Sequence, residues 1–173
     1  MLIENCIKNI LNNKKMFSQF LFEDQIYLDL KAKNSFGCFL EMLRLLEDSK
    51  IIKDKAPILT ALMTREELEP TSVGFNIAFP HARTFQLEKP ILIIGRSKEG
   101  IDFYSRDGKK INFVFMLLFP RKLNELYLEL VGEIMRFLSN SVLLNCLQEI
   151  NTPEELISLV KDLEKDMDKG LLN

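Results

Sequence analysis

The chain has one histidine, His81, and three cysteines, Cys6, Cys38 and Cys146, spread along 173 residues. One imidazole excludes a histidine-rich metal site and any two-histidine relay. The cysteines are odd in number, far apart and without a Cys-x-x-Cys pair, so they read as reduced, small buried residues and not as a zinc site or a disulfide framework. An excess of charge of one sign is also missing. The formal net charge is −2, with both signs spread along the chain, which leaves no basic face for nucleic acid. No apolar run approaches the ~20 residues that span a bilayer. The start, Met1-Leu2-Ile3-Glu4-Asn5-Cys6, lacks the basic and apolar regions of a signal peptide. The expectation is a cytoplasmic chain with no membrane insertion, no nucleic-acid partner, no metal and no cofactor. What is present is ordinary globular material, 47% hydrophobic and 28% charged, enough for one domain with a sizeable core.

Hydrophobic patterning organises that domain. Ile3, Ile7, Ile10 and Leu11 suit an amphipathic helix over residues 3–17. Gln25-Ile26-Tyr27-Leu28-Asp29-Leu30 alternates and predicts a strand. Asn34 or Ser35 can cap a helix with Phe36, Phe39, Leu40, Leu43 and Leu46 at its apolar positions. Pro57 suits the first turn of another helix, which runs into Arg65 and Glu66. Ile91 to Gly95 and Phe113 to Leu118 are continuous apolar runs, as in central strands covered on both faces. Asp107-Gly108 marks a tight turn between Ile101-Asp102-Phe103 and the second run. Helices follow over residues 122–138, 141–149 and 153–167, the last opened by the capping box Thr152-Pro153-Glu154-Glu155. Helices and strands alternating over one core define an α/β layer fold.

His81 sits in Ala78-Phe79-Pro80-His81-Ala82-Arg83. By itself a lone histidine is more often a surface or core residue than a functional one, yet a neutral imidazole can take up and give away a phosphoryl group near pH 7. The stretch before it runs from Arg65-Glu66 through Thr71-Ser72-Val73-Gly74 to Ile77-Ala78-Phe79-Pro80-His81. Beyond it come Lys98-Glu99-Gly100-Ile101-Asp102-Phe103, Asp107-Gly108 and Val114-Phe115-Met116-Leu117-Leu118-Phe119-Pro120. This ordered series resembles the enzyme IIA component of the sugar phosphotransferase system, in its fructose/mannitol and nitrogen-regulatory class, over roughly Phe22 to Leu163.

The resemblance implies a single-domain α/β fold with a mixed sheet and helices on both sides. The domain would cover residues 21–168, after an added helical extension over 1–20 and before a tail over 169–173. It implies that His81 accepts a phosphoryl group from the phosphohistidine of an HPr-like carrier and passes it to a IIB component. The alternative is a nitrogen-type regulatory protein whose phosphorylation state controls binding to partner proteins. Arg65 would stabilise the phosphate, because a guanidinium fork matches its geometry. Thr71 could add a hydroxyl donor, the backbone at Gly74 its N–H groups, and Arg83 a place at the rim. Glu66 and Glu67 read as paired or solvated, since a carboxylate beside a transferring phosphoryl group repels it. Three positions depart from the family pattern. Ser72 and Asn76 stand where glycines are usual, which carries strain wherever φ is positive. Tyr127 stands in place of a second histidine and cannot carry positive charge at pH 7.

Overall fold

The computed structural model describes residues 18–122 and 124–168; the helix expected over 3–17 and the tail over 169–173 lie outside the described residues. Two compact units make up the chain, one of Asp24–Lys122 and the other of Met1–Glu23 with Leu123–Asn173.

The first unit holds one mixed sheet of six strands: β1 (Ile26–Tyr27), β2 (Ser72–Gly74), β3 (Ile77–Ala78), β4 (His81–Thr84), β5 (Ile91–Ile101) and β6 (Ile111–Pro120). Their order is β1-β5-β6-β3-β2, with β4 also paired to β6. β5 and β6 run antiparallel, and β3 and β4 both run parallel to β6. The two apolar runs read from the sequence form the β5–β6 pair at the sheet's centre, and the α/β class holds. The strand expected over residues 25–30 shortens to Ile26–Tyr27, although Leu30 still donates its N–H to the Arg96 carbonyl at 2.8 Å. The β5–β6 connection is longer than a two-residue hairpin and contains a turn closed by Gly108 N–H to the Ser105 carbonyl, 2.9 Å.

Two helices pack on one face of this sheet. Helix α1 (Ser35–Asp48) is capped by Asn34, whose side chain accepts from the Gly37 N–H. It buries Cys38, Phe39, Met42, Leu43 and Leu46. Phe36, expected on the apolar stripe, is 48% exposed, because the stripe is set by positions 35, 38, 39, 42, 43 and 46 and residue 36 falls to its side. Helix α2 (Lys55–Leu68) starts at the cap Asp54, so Pro57 is its third residue, where the missing N–H has no helical acceptor to lose. It buries Ile58, Leu62 and Glu66, one face at four-residue spacing. The apolar residues of both helices join Ala78, Ala82, Ile91, Ile93, Val114, Met116 and Leu118 in a single core.

The second unit, as described, has a short 3₁₀ turn (Ser18–Phe20) and helices α3 (Asn124–Leu138), α4 (Ser141–Leu147) and α5 (Pro153–Asp168). The Ser18 N–H and hydroxyl both donate to Glu164 of α5, at 2.8 and 2.6 Å. The capping box forms as read: Glu155 N–H donates to Thr152 Oγ1, and Glu155 Oε2 accepts from the N–H groups of Thr152 and Asn151. No single helix among the described residues is long and apolar enough to cross a membrane.

The β2–β3 hairpin carries local strain. Gly74 pairs with Ile77 across a two-residue turn, and Gly74, Phe75 and Asn76 have φ of 88°, 53° and 60°. Positive φ at both central residues is the type I′ pattern. Glycine suits the first position, and asparagine tolerates the third, where its side chain also donates to Asn112 Oδ1 at 3.1 Å. Ser72 is not among the left-handed residues, so of the two expected glycine substitutions only Asn76 bears strain. Phe75 is the outlier: an aromatic residue, 68% exposed, in a left-handed conformation. Phe75→Asn should raise stability by about 0.5–1 kcal/mol, since asparagine populates this region more readily. Urea denaturation would register this as a higher midpoint; a lower one would mean that the exposed ring supplies packing worth more than the strain.

Candidate functional site

Residues 77–84 run beside β6 in one unbroken register. Ile77 lies opposite Phe113, Ala78 opposite Val114, His81 opposite Leu117 and Thr84 opposite Pro120. Pro80 interrupts only the donor side of this ladder, because it lacks an N–H. Its carbonyl still accepts from the Leu117 N–H at 2.9 Å. Ala78 and Ala82 belong to the core against α1 and α2. By the alternation of a strand, His81 and Arg83 project from the opposite face.

His81 is half-buried, and its Nδ1 lies 3.0 Å from the Phe79 carbonyl oxygen. A carbonyl only accepts, so Nδ1 carries the proton and the lone pair of the neutral ring is on Nε2. Burial pushes the imidazole below its ordinary pKa range, the Phe79 carbonyl opposes this by favouring the protonated ring, and the positive charge of Arg65 lowers it further. The Phe79 ring lies beside the imidazole, with centroids 5.3 Å apart. The result is an oriented imidazole whose charged form is disfavoured.

The elements around His81 bring some of the expected residues to it and leave others away. Arg65 sits half-buried in the last turn of α2, one of its terminal nitrogens donating to the Glu69 carbonyl at 3.0 Å, and its charge is felt at His81. Arg83 lies two residues along the same strand face and donates to the Arg121 carbonyl at 3.0 Å. Thr71 is buried opposite Phe79, accepting the Phe79 N–H at 2.9 Å. Its hydroxyl is committed to Glu66 Oε2 at 2.6 Å and its N–H to Glu66 Oε1 at 3.0 Å. Glu66 is thus paired, though not solvated; burial raises its pKa against the downward pull of the Thr71 bonds and Arg65. Gly74 is not at His81. It pairs with Ile77, four residues and about 13 Å up the strand, and lines a cleft of about 300 Å³ with Glu69, Ser72, Asn76, Arg106 and Lys109. Tyr127 is half-buried on α3, in the other unit. Two contacts near His81 have little signal in the sequence. The Phe79 carbonyl has no side-chain signature, and Glu66 shows its place only through the four-residue spacing from Ile58 and Leu62. Among the described residues no group of three or more His, Cys, Asp or Glu side chains could hold a metal ion.

Comparison with known proteins identifies the family. A family model described as phosphoenolpyruvate-dependent sugar phosphotransferase system, EIIA 2, matches residues 19–163. A fructose-specific EIIABC component from Bacillus subtilis is 28% identical over 148 residues, covering 86% of this chain and 23% of that protein. A fructose-specific EIIA component from Haloferax volcanii is 37% identical over 102 residues, covering 59% of this chain and 66% of that one. The chain therefore spans less than two thirds of the length of either relative. The crystal structure of the nitrogen regulatory protein IIA-Ntr from Neisseria meningitidis superposes with a TM-score of 0.74 at 25% identity, covering 83% of this chain and 97% of that one. A neutral histidine held at a strand start beside an arginine, within a sheet and signature of this kind, makes this chain a member of the EIIA type 2 family of the phosphoenolpyruvate-dependent sugar phosphotransferase system.

Proposed function

We propose that this chain is a phosphocarrier, accepting a phosphoryl group on His81 from an HPr-like phosphohistidine protein and passing it to a IIB component. The observation that carries the reading is the Nδ1 hydrogen bond to the Phe79 carbonyl, which puts the nucleophilic lone pair on Nε2. Nε2 attacks the donor's phosphorus. The new N–P bond forms as the donor's N–P bond breaks, and the donor imidazole leaves with the electron pair. Nδ1 keeps its proton throughout, donating it in a hydrogen bond to the Phe79 carbonyl, so the step needs no general base. A IIB nucleophile then attacks the same phosphorus and returns the electron pair to Nε2. The work left to the protein is alignment and charge compensation, for which Arg65, whose charge is felt at His81, and Arg83, two residues along the strand, are the candidates. The joined components in the name of the B. subtilis relative support a IIB partner. The reading puts the chain in the cytoplasm with these carriers.

A second reading has its own support in the likeness to IIA-Ntr over nearly that whole chain. In it, the phosphorylation state of His81 controls binding to partner proteins instead of supplying a permease. Transfer of label onward to a IIB domain favours the first reading; uptake without onward transfer favours the second.

Incubation with phosphoenolpyruvate, enzyme I and HPr should add one phosphate, acid-labile and base-stable, and His81→Ala should add none. Label on His81→Ala would overturn the assignment. Arg65→Ala should slow uptake by about 10- to 150-fold, the loss of a charge-assisted hydrogen bond in the transition state. Arg65→Lys, which keeps the charge but not the fork, should fall between. In an NMR titration His81 of the wild type should titrate below the ordinary imidazole range. It should move upward in Arg65→Ala, because removing a nearby positive charge makes the imidazolium easier to form. An unmoved titration and unchanged kinetics would put Arg65 outside the site.

A further inference from the structure

Glu66 stands at a position made for an apolar side chain. It continues the buried stripe of Ile58 and Leu62 on α2, is 9% exposed, and yet carries a carboxylate. A carboxylate in such a place needs hydrogen bonds to repay its burial. It receives both from one residue, the Thr71 N–H and the Thr71 hydroxyl.

The destination of the Thr71 N–H matters because of what it would otherwise do. Thr71 and Phe79 face each other in the antiparallel register set by Ser72 and Ala78. A hydrogen-bonded antiparallel pair exchanges two bonds, each N–H reaching the other's carbonyl. Here one is made, from the Phe79 N–H to the Thr71 carbonyl at 2.9 Å. In place of the reciprocal bond, the Thr71 N–H goes to Glu66 Oε1 at 3.0 Å, and the Phe79 carbonyl receives His81 Nδ1, also at 3.0 Å.

We propose that Glu66 is a positioning residue for the nucleophile: by drawing the Thr71 amide out of the sheet it keeps the Phe79 carbonyl for His81 Nδ1, and so holds the imidazole in the tautomer with its lone pair on Nε2. Glu66 never touches the phosphoryl group. Its effect runs through two peptide units, Thr71 and Phe79, and ends at the proton on Nδ1. The position tolerates a negative charge near a phosphate site because that charge is turned inward, onto a backbone amide and a hydroxyl.

The inference rests on the phosphocarrier reading only for its consequence in rate; the tautomer is measured on the unphosphorylated protein. ¹⁵N NMR of the imidazole should report the proton on Nδ1 in the wild type. Glu66→Gln keeps a carbonyl acceptor for the Thr71 N–H and should keep that tautomer. Glu66→Leu restores the apolar stripe and removes the acceptor. Glu66→Asp keeps the charge but withdraws it by one methylene. Both should shift the proton toward Nε2 and slow phosphoryl uptake by about 3- to 10-fold, the range for one neutral hydrogen bond. A wild type protonated at Nε2, or unchanged tautomers in Glu66→Leu and Glu66→Asp, would overturn the proposal. Should Glu66→Leu not fold, Glu66→Asp and the wild-type spectrum decide alone. A tautomer that shifts as expected in a protein that takes up no phosphate would sink the phosphocarrier reading and leave the positioning role standing.

Discussion

The parallel ladder between residues 77–84 and β6 is the constraint on which the site depends. Its register holds on both sides of Pro80, although that residue gives it no amide hydrogen. Two consequences follow from the alternation of a strand. The alanines at 78 and 82 seat the segment on the α1/α2 core. The odd-numbered residues between and beyond them turn the other way, so that the side chain of His81 leaves the sheet at a fixed level, opposite Leu117. β6 is itself buried along nearly its whole length, so His81 is paired to a strand with little room to move. Under the phosphocarrier proposal this matters, because alignment is the main part of a phosphoryl transfer.

The electrostatics divide between two sides of one short segment. Arg65 and Glu66 are neighbours on α2, but their charges go to different places: the guanidinium toward Glu69 and His81, the carboxylate into the core against Thr71. Helical spacing separates adjacent residues by about 100° around the axis, which is enough to send opposite charges to opposite tasks. Burial and a nearby cation disfavour the charged histidine more than the Phe79 carbonyl favours it, so its pKa is lowered and the neutral ring is favoured. That is the form the proposed phosphoryl uptake requires.

Much of this was legible beforehand. The apolar runs at 91–95 and 113–118 announced the central strands, because a strand covered on both faces has no alternation to hide behind. The capping box at Thr152 marked a helix start to the residue, because its chemistry is local. The Pro80-His81 pair and Arg65 stand out as a candidate site only in the company of the longer series of matches. What could not be read were features that depend on backbone atoms or on pairing over distance. The strands β2, β3 and β4 are two to four residues long, too short for periodicity to register. The hydroxyl of Thr71 looked like a phosphate donor because nothing in the sequence tells that Glu66, five residues back, faces it. Gly74 looked like a phosphate cradle, whereas its φ of 88° serves a hairpin.

That hairpin makes length a stricter requirement than composition in this part of the chain. The three left-handed residues, Gly74, Phe75 and Asn76, reverse the chain in a set number of positions, and everything after them is counted from there. A residue added or removed between Gly74 and His81 would shift the pairing by one and exchange the two faces of the strand. The alanines would then leave the core and the imidazole would enter it. Substitutions at the tip alter a local cost; an insertion there would silence the site while leaving each of its side chains in the sequence.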